Sequence, residues 1–251
     1  MERRQEIKTL IKNDSYIESI EWKVIPSLLF QEKTCSKAHS KELDKIFGYK
    51  IPRIEQKLEQ KYRNFYKSSD KTNKKGHFAG SEAWIGLHPQ VLQTPYSKIY
   101  QIFSLLSNFN PKSIVDLGAG YGRVGLVSSM LFPEASFIGL EVIRERCEEA
   151  NRIYKKFKLK NCEIQHGCLV KKKTLLPQAD IYFIYDFGFL DDIYYVLNNV
   201  LSIKRNTQFF VVAIGSRINS IIGKGNFIDT RCEIIASKEG FSIFSVRTNY
   251  K

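Results

Sequence analysis

At 251 residues the chain can bury one substantial core, or one core with a small accessory domain. Its 43% hydrophobic and 26% charged content excludes disorder as the starting expectation, and no apolar run nears the ~18–20 residues of a membrane-spanning helix. The net charge of +13 attracts acidic partners over long range and is silent about fold. The charged stretch Met1–Leu10 lacks the apolar core of a secretory leader. Five cysteines (Cys35, Cys147, Cys162, Cys168, Cys232), odd in number and without CxxC spacing, are expected to be reduced thiols in the cytoplasm.

Composition shifts near residue 95. Residues 1–78 hold 18 Lys and Arg against 11 Asp and Glu, and the longer remainder, 79–251, holds 21 against 15. Helices are expected at Met1–Ile11, Lys37–Phe47 and Pro52–Tyr66, followed by a basic, breaker-rich loop over Lys67–Gly76. Lys61, Arg63, Lys67, Lys71, Lys74 and Lys75 predict a basic solvated side, whereas Ile51, Ile54, Leu58 and Tyr62 predict a face that docks on the rest of the chain. Cys35 and His39 stand at helical spacing, but with no second ligand pair they predict no metal site.

From residue 95 onward, strand and helix signals alternate. Thr94 and Pro95 supply an N-cap and a first-turn proline, and Ile99, Ile102, Phe103 and Leu106 repeat as one buried helical face. Strands are expected at Ser113–Leu117, Ser136–Leu140, Cys162–His166, Asp180–Tyr185 and Gln208–Ile214. Helices fall between them through Val124, Val127 and Leu131, through Cys147, Ala150, Ile153 and Phe157, and through Leu190, Ile193, Val196, Leu197 and Leu201. This alternation predicts right-handed βαβ units and a parallel sheet covered on both faces. Phe227–Ala236 and Phe241–Val246, separated by Ser-Lys-Glu-Gly, then predict a closing antiparallel hairpin.

The most informative segment is Val115-Asp116-Leu117-Gly118-Ala119-Gly120-Tyr121-Gly122-Arg123, a strand feeding a glycine-rich turn that opens a helix. Such a turn lies at the carboxyl ends of the strands, where open α/β sheets bind ligands. Glu141 ends the next strand, placed to accept hydrogen bonds from two ribose hydroxyls. A dinucleotide fingerprint requires G-x-G-x-x-G without an acid closing the strand. Here the spacing is G-x-G-x-G, and Asp116 stands two residues before the first glycine. The pattern resembles the first motif of the class I, seven-strand, S-adenosylmethionine-dependent methyltransferases, over about residues 96–246. The resemblance implies that Asp116 helps hold the cofactor's methionine moiety. It also implies that Gly118, Ala119, Gly120 and Gly122 admit that end to the backbone and that Glu141 binds ribose. The family's last strand runs antiparallel, in line with the terminal hairpin.

The chain departs from that family at two places. After the third strand the family often carries an acid against the adenine amino group; this sequence has His166-Gly167-Cys168-Leu169, so Cys168 is expected near the adenine edge with another group accepting in its place. Cys162, His166 and Cys168 share one strand face, which is expected to pack or to line the cofactor pocket rather than hold a metal. At the end of the fourth strand, the Asn/Asp-Pro-Pro-Tyr/Phe motif of base-directed amino-methylating enzymes is absent. Ile181–Leu190 instead looks like the Asn-Asn-Phe-Ala-Phe stretch of the non-SET histone-lysine methyltransferases, with Tyr185 and Asp186 at the asparagines and Phe187 and Phe189 at the phenylalanines. That likeness implies that Asp186 orients the acceptor amine, or takes its proton through water, beside the cofactor. It further implies that Phe187, Phe189 and Tyr96, with Trp84, surround a lysine stem, and that Tyr185 stands with Asp186 at the catalytic end. The competing local reading makes Asp186 the cap of the following helix.

The expected fold is therefore α/β: a Rossmann-like, doubly wound, mostly parallel sheet with a C-terminal antiparallel hairpin over residues 95–251. A basic, mainly helical extension, residues 1–94, is expected to shape the acceptor site. The expected activity is S-adenosylmethionine-dependent N-methylation of a protein lysine. The rivals are methylation of RNA or another nucleic acid, methylation of a small molecule, and a non-catalytic binding module. Charge favours nucleic acid, whereas the missing motif opposes it; the intact glycine turn and Glu141 oppose the non-catalytic module. Neither a membrane nor a metal is expected as a partner, and nothing in the sequence sets an oligomeric state.

Overall fold

The computed structural model describes residues 36–68, 84–85, 87–170, 175–203, 208–224, 232–238 and 240–247, without the side chains of 63–68 and 223–224. The helix expected at Met1–Ile11, Cys35, and the side chains of Arg63, Lys67, Lys71, Lys74 and Lys75 lie outside the described residues.

Seven strands form one sheet: β1 Ser113–Leu117, β2 Ser136–Glu141, β3 Cys162–His166, β4 Ile181–Tyr185, β5 Phe209–Ile214, β6 Cys232–Lys238 and β7 Phe241–Val246. Their order is β3-β2-β1-β4-β5-β7-β6. The first five run parallel, and β7 pairs antiparallel with both β5 and β6. This is the mixed, mostly parallel Rossmann-like sheet expected of the methyltransferase fold. The central strands are apolar almost throughout because both faces are covered. Along β4, Phe183 enters one core, while Tyr182 and Ile184 enter the other.

The described helices are α1 Ser36–Phe47, α2 Ile51–Ser68, α3 Tyr96–Leu106, α4 Arg123–Leu131, α5 Arg144–Lys156, α6 Leu190–Ser202 and α7 Ser216–Lys224. The first five contribute to the core on the Phe183 face, and α6 and α7 to the opposite one. Ile99, Ile102, Phe103 and Leu106 of α3 are wholly buried, as their spacing requires. Two details differ from expectation. The cap position of α3 is Pro95 rather than Thr94 and makes no side-chain cap bond; the Tyr96 N–H instead donates to Ser40 Oγ of α1. Helix α7 is new, a nine-residue element inserted between β5 and the hairpin.

Helices α1 and α2 share the core of the sheet domain, since Leu43, Phe47 and Ile51 belong to the same cluster as Ile99 and Phe183. Buried charge fixes their position. Asp44 accepts from both Nε and Nη2 of Arg123, from Gln90 Nε2 at 2.9 Å and from the Tyr96 hydroxyl at 3.1 Å. Glu55 accepts from Arg146 Nε at 2.8 Å, Arg146 Nη2 at 3.1 Å and the Tyr121 hydroxyl at 2.6 Å. Arg123 and Tyr121 belong to the glycine-rich segment, so the two N-terminal helices are bolted to it.

Candidate functional site

The site begins where β1 gives out. Gly118, Gly120 and Gly122 all have positive φ, at 91°, 54° and 73°. A Cβ on Gly118 would meet nothing within 4 Å, so this glycine faces open space; one on Gly122 would collide with the Tyr154 hydroxyl. Tyr154 supports the turn from beneath by donating to the Gly122 carbonyl at 2.7 Å. The N–H groups of Gly118 and Ala119 both donate to the Leu140 carbonyl at 2.9 Å, closing the turn onto β2.

Two acids flank this turn. Glu141 accepts from the Gly120 N–H and the Ile143 N–H, each at 2.8 Å. Asp116 is as deeply buried and accepts no hydrogen bond from the described residues. Burial first, and then the neighbouring charge of Glu141, pushes its carboxyl up to about 8. A cavity of about 300 Å³ opens in front, with Gly118, Gly120 and Glu141 on its floor and Gly167, Cys168 and Leu169 on one side. At the other end stand Tyr185, Asp186, Phe187, Trp84 and Arg217. A smaller recess of about 20 Å³ adjoins it, bounded by Asp116, Ala119 and Gln93.

Most expected site residues meet at this cavity, and several do different work there. Asp186 lines it, yet its carboxylate receives the Arg217 N–H at 3.1 Å and the Ile218 N–H at 2.8 Å. It therefore caps α7, not the helix that follows it in sequence. That helix, α6, is begun by Asp192, which accepts from the Phe189 N–H at 2.8 Å. The Tyr185 hydroxyl donates to the Val91 carbonyl at 3.1 Å. Burial, then the adjacent Asp186, raises the Tyr185 phenol above its ordinary range.

Tyr96 does not reach the cavity. It is wholly buried, donates to Asp44 and lies under the Arg123 guanidinium at 4.9 Å, so its expected place beside the acceptor is corrected to a place in the α1 clamp. Gly122 likewise packs on Tyr154 rather than lining the cavity. Cys162, His166 and Cys168 are not brought together: Cys162 contacts the Gly125 carbonyl, exposed His166 reaches the Val142 carbonyl, and Cys168 faces the cavity. Burial pushes the Cys162 thiol up to about 12, an inert setting.

Four contributors were not evident from sequence. Arg146 lies beside Glu141 and donates to the Trp84 carbonyl at 3.3 Å. Arg217 stacks on the Trp84 ring at 5.5 Å and donates to the Gly188 carbonyl at 2.9 Å. Gln93 and Val91 come from the segment that passes close to the glycine turn. Only an acid following the fourth strand, with a helix to cap far downstream, hinted at Arg217, and nothing local pointed to Gln93.

No protein-family model matches the chain, and no curated protein does. Solved structures do. An SAH-bound methyltransferase from Podospora anserina superposes with a TM-score of 0.51 at 12% identity, covering 66% of this chain and 83% of its own. A precorrin-6y C5,15-methyltransferase from Geobacter metallireducens gives 0.47 at 16% identity, covering 63% and 91%. An RNA methyltransferase from Salinibacter ruber, in complex with S-adenosyl-L-homocysteine, gives 0.45 at 13% identity, covering 66% and 95%. At such identities the likeness is one of fold.

Proposed function

We propose that this chain is an S-adenosylmethionine-dependent methyltransferase acting on an amine, with a protein lysine as the leading acceptor. The observation that carries the cofactor reading is the cradle itself: an unpartnered buried acid, Asp116, beside a glycine turn and a second acid, at the carboxyl ends of the strands. Bound there, S-adenosylmethionine would supply a methyl group on a sulfonium leaving group. Asp116 would attract the cationic amino-acid end, and Gly118 leaves the backbone open to its approach. Glu141 uses one lone pair of each oxygen on the Gly120 and Ile143 N–H groups and keeps the others for ribose hydroxyls. The apolar side of Leu140, Leu169 and Val170 suits an adenine ring.

The chain's part in methyl transfer is mainly alignment and exclusion of water. Tyr185, Phe187 and Trp84 give the acceptor end aromatic walls suited to an alkyl-ammonium stem. Asp186, held by two α7 N–H groups, retains acceptor capacity on each oxygen and would orient the amine as it loses its proton to water. The net charge of +13 favours a second reading, an RNA acceptor.

Methyl-tritiated S-adenosylmethionine, incubated with the protein and with separated protein and RNA fractions of a lysate, distinguishes these. Label in lysine of the protein fraction is expected; label confined to RNA or small molecules replaces the lysine reading. In thermal-shift measurements, S-adenosylmethionine should raise the melting temperature and NAD should not. Gly120→Val should abolish that shift. Equal shifts with both ligands would overturn the cofactor assignment.

A further inference from the structure

The recess behind the cavity poses a problem of unsatisfied polar groups. Residues 88–94 pass close to the glycine turn and are held there by three hydrogen bonds from Arg123 and Tyr185. Arg123 Nη1 donates to the Thr94 carbonyl at 3.3 Å, Arg123 Nη2 to Gln90 Oε1 at 2.9 Å, and the Tyr185 hydroxyl to the Val91 carbonyl. This anchoring fixes Gln93, which is 7% exposed and lines both the cavity and the recess. Its Nε2 reaches back to the Pro89 carbonyl at 3.4 Å, whereas its Oε1 is buried with no partner among the described residues.

Buried acceptors without donors are rare in native proteins, and they point to a missing partner. The recess is also bounded by Asp116, a second acceptor that receives no hydrogen bond from the described residues. Both groups accept hydrogen bonds and neither is met by a donor. The recess, about 20 Å³, holds a single water-sized group. It shares Leu92, Gln93, Gly118 and Tyr185 with the main cavity, so a group in it can belong to a ligand lying in the larger space. A primary ammonium meets every one of these conditions. It is water-sized, carries three donors and no acceptor, and brings the charge that Asp116 lacks.

We infer that Gln93 is a cofactor-binding residue, its side-chain carbonyl accepting from the α-ammonium of S-adenosylmethionine together with Asp116. The assignment rests on the cofactor reading above and adds to it a discriminating element. Gln93 recognises the amino-acid end and is indifferent to the nucleoside. The main-chain anchors of residues 88–94 set its position, and the N-terminal helices hold those anchors through Asp44 and Arg123. A ligand without the ammonium leaves both acceptors bare.

The test is a comparison of two ligands by calorimetric titration of the full chain. S-adenosylhomocysteine carries the amino-acid end; 5′-methylthioadenosine has the same nucleoside and thioether without it. In Gln93→Met, close in shape but without the carbonyl, the Kd for S-adenosylhomocysteine should rise by at least about tenfold, the usual scale for a hydrogen bond to a charged group. The Kd for 5′-methylthioadenosine should stay within about twofold, because no contact to it is removed. Ligand-free Gln93→Met should melt close to wild type, since the lost oxygen has no partner and the lost amide holds the Pro89 carbonyl only at 3.4 Å. Gln93→Leu serves as a second variant with the same expected split. Unchanged binding of S-adenosylhomocysteine, or equal losses for the two ligands, would overturn the assignment. Wild-type protein that bound neither ligand would instead overturn the cofactor reading on which it depends.

Discussion

Asp44 and Glu55 on the clamp, and Asp116 in the cradle, are equally inaccessible, at 6%, 8% and 6% exposure. Their company differs. Asp44 and Glu55 each hold a buried arginine and further neutral donors, so every charge there has an opposite. Asp116 has neither cation nor donor among the described residues, and burial lifts its carboxyl to about 8. On the proposed reading, equal burial with opposite satisfaction separates a structural acid from one kept for a ligand. The first kind is buried as a charge with its counter-charge; the second is buried only at the cost of holding a proton.

Mutation should make the two kinds diverge in sign. Asp44→Ala or Glu55→Ala strands a buried guanidinium and should lower stability by roughly 3–5 kcal/mol, read by chemical denaturation. Asp116→Asn removes an acid that must take up a proton to be buried without a partner, and should raise ligand-free stability by roughly 2–4 kcal/mol near pH 7 while abolishing cofactor binding. The pH dependence follows from the direction of its shift. An acid whose folded pKa is raised binds more protons folded than unfolded, so stability falls as pH rises from about 4 to about 8. That slope should be missing from Asp116→Asn, and cofactor affinity of the wild type should strengthen as pH rises toward about 8. A destabilised Asp116→Asn would place this acid with the clamp.

Two smaller effects sharpen the contrast. Asp186→Ala uncaps α7 and should cost about 1–2 kcal/mol, with cofactor affinity unchanged. If turnover falls further than the lost folded fraction explains, Asp186 also serves the acceptor. Lys61→Ala breaks the exposed pair with Glu145, 2.8 Å long, and should change stability by no more than about 0.5 kcal/mol, less in high salt.

The strands were legible in sequence because each is a short apolar run with a sharp end; β1 and β3 begin and end where the pattern put them. The glycine turn and its two flanking acids were legible for the same reason, being contiguous or placed at strand ends. Helix α7 was not, because Ser216–Lys224 carries only Ile218, Ile221 and Ile222 as apolar anchors, and its cap, Asp186, lies 32 residues before Ile218. Tyr96 was misplaced because the partners that bury it, Ser40 and Asp44, are 56 and 52 residues upstream. Local patterns report on periodicity and turns. They are blind to which distant side chain completes a hydrogen bond.

The clamp also has a consequence for the order in which the molecule assembles. Asp44 and Arg123 are 79 residues apart, and Glu55 and Arg146 are 91 apart. Closing loops of that length is entropically slow and gains nothing until both ends are formed. Arg123 and Arg146 belong to α4 and α5, which pack on the sheet, so α1 and α2 can dock on a surface that already presents both arginines. Substitutions at Asp44 and Glu55 should then accelerate unfolding while leaving the folding rate nearly untouched in stopped-flow measurements. Undocking of these helices would uncover the glycine-rich segment, since Asp44 and Glu55 hold its Arg123 and Tyr121.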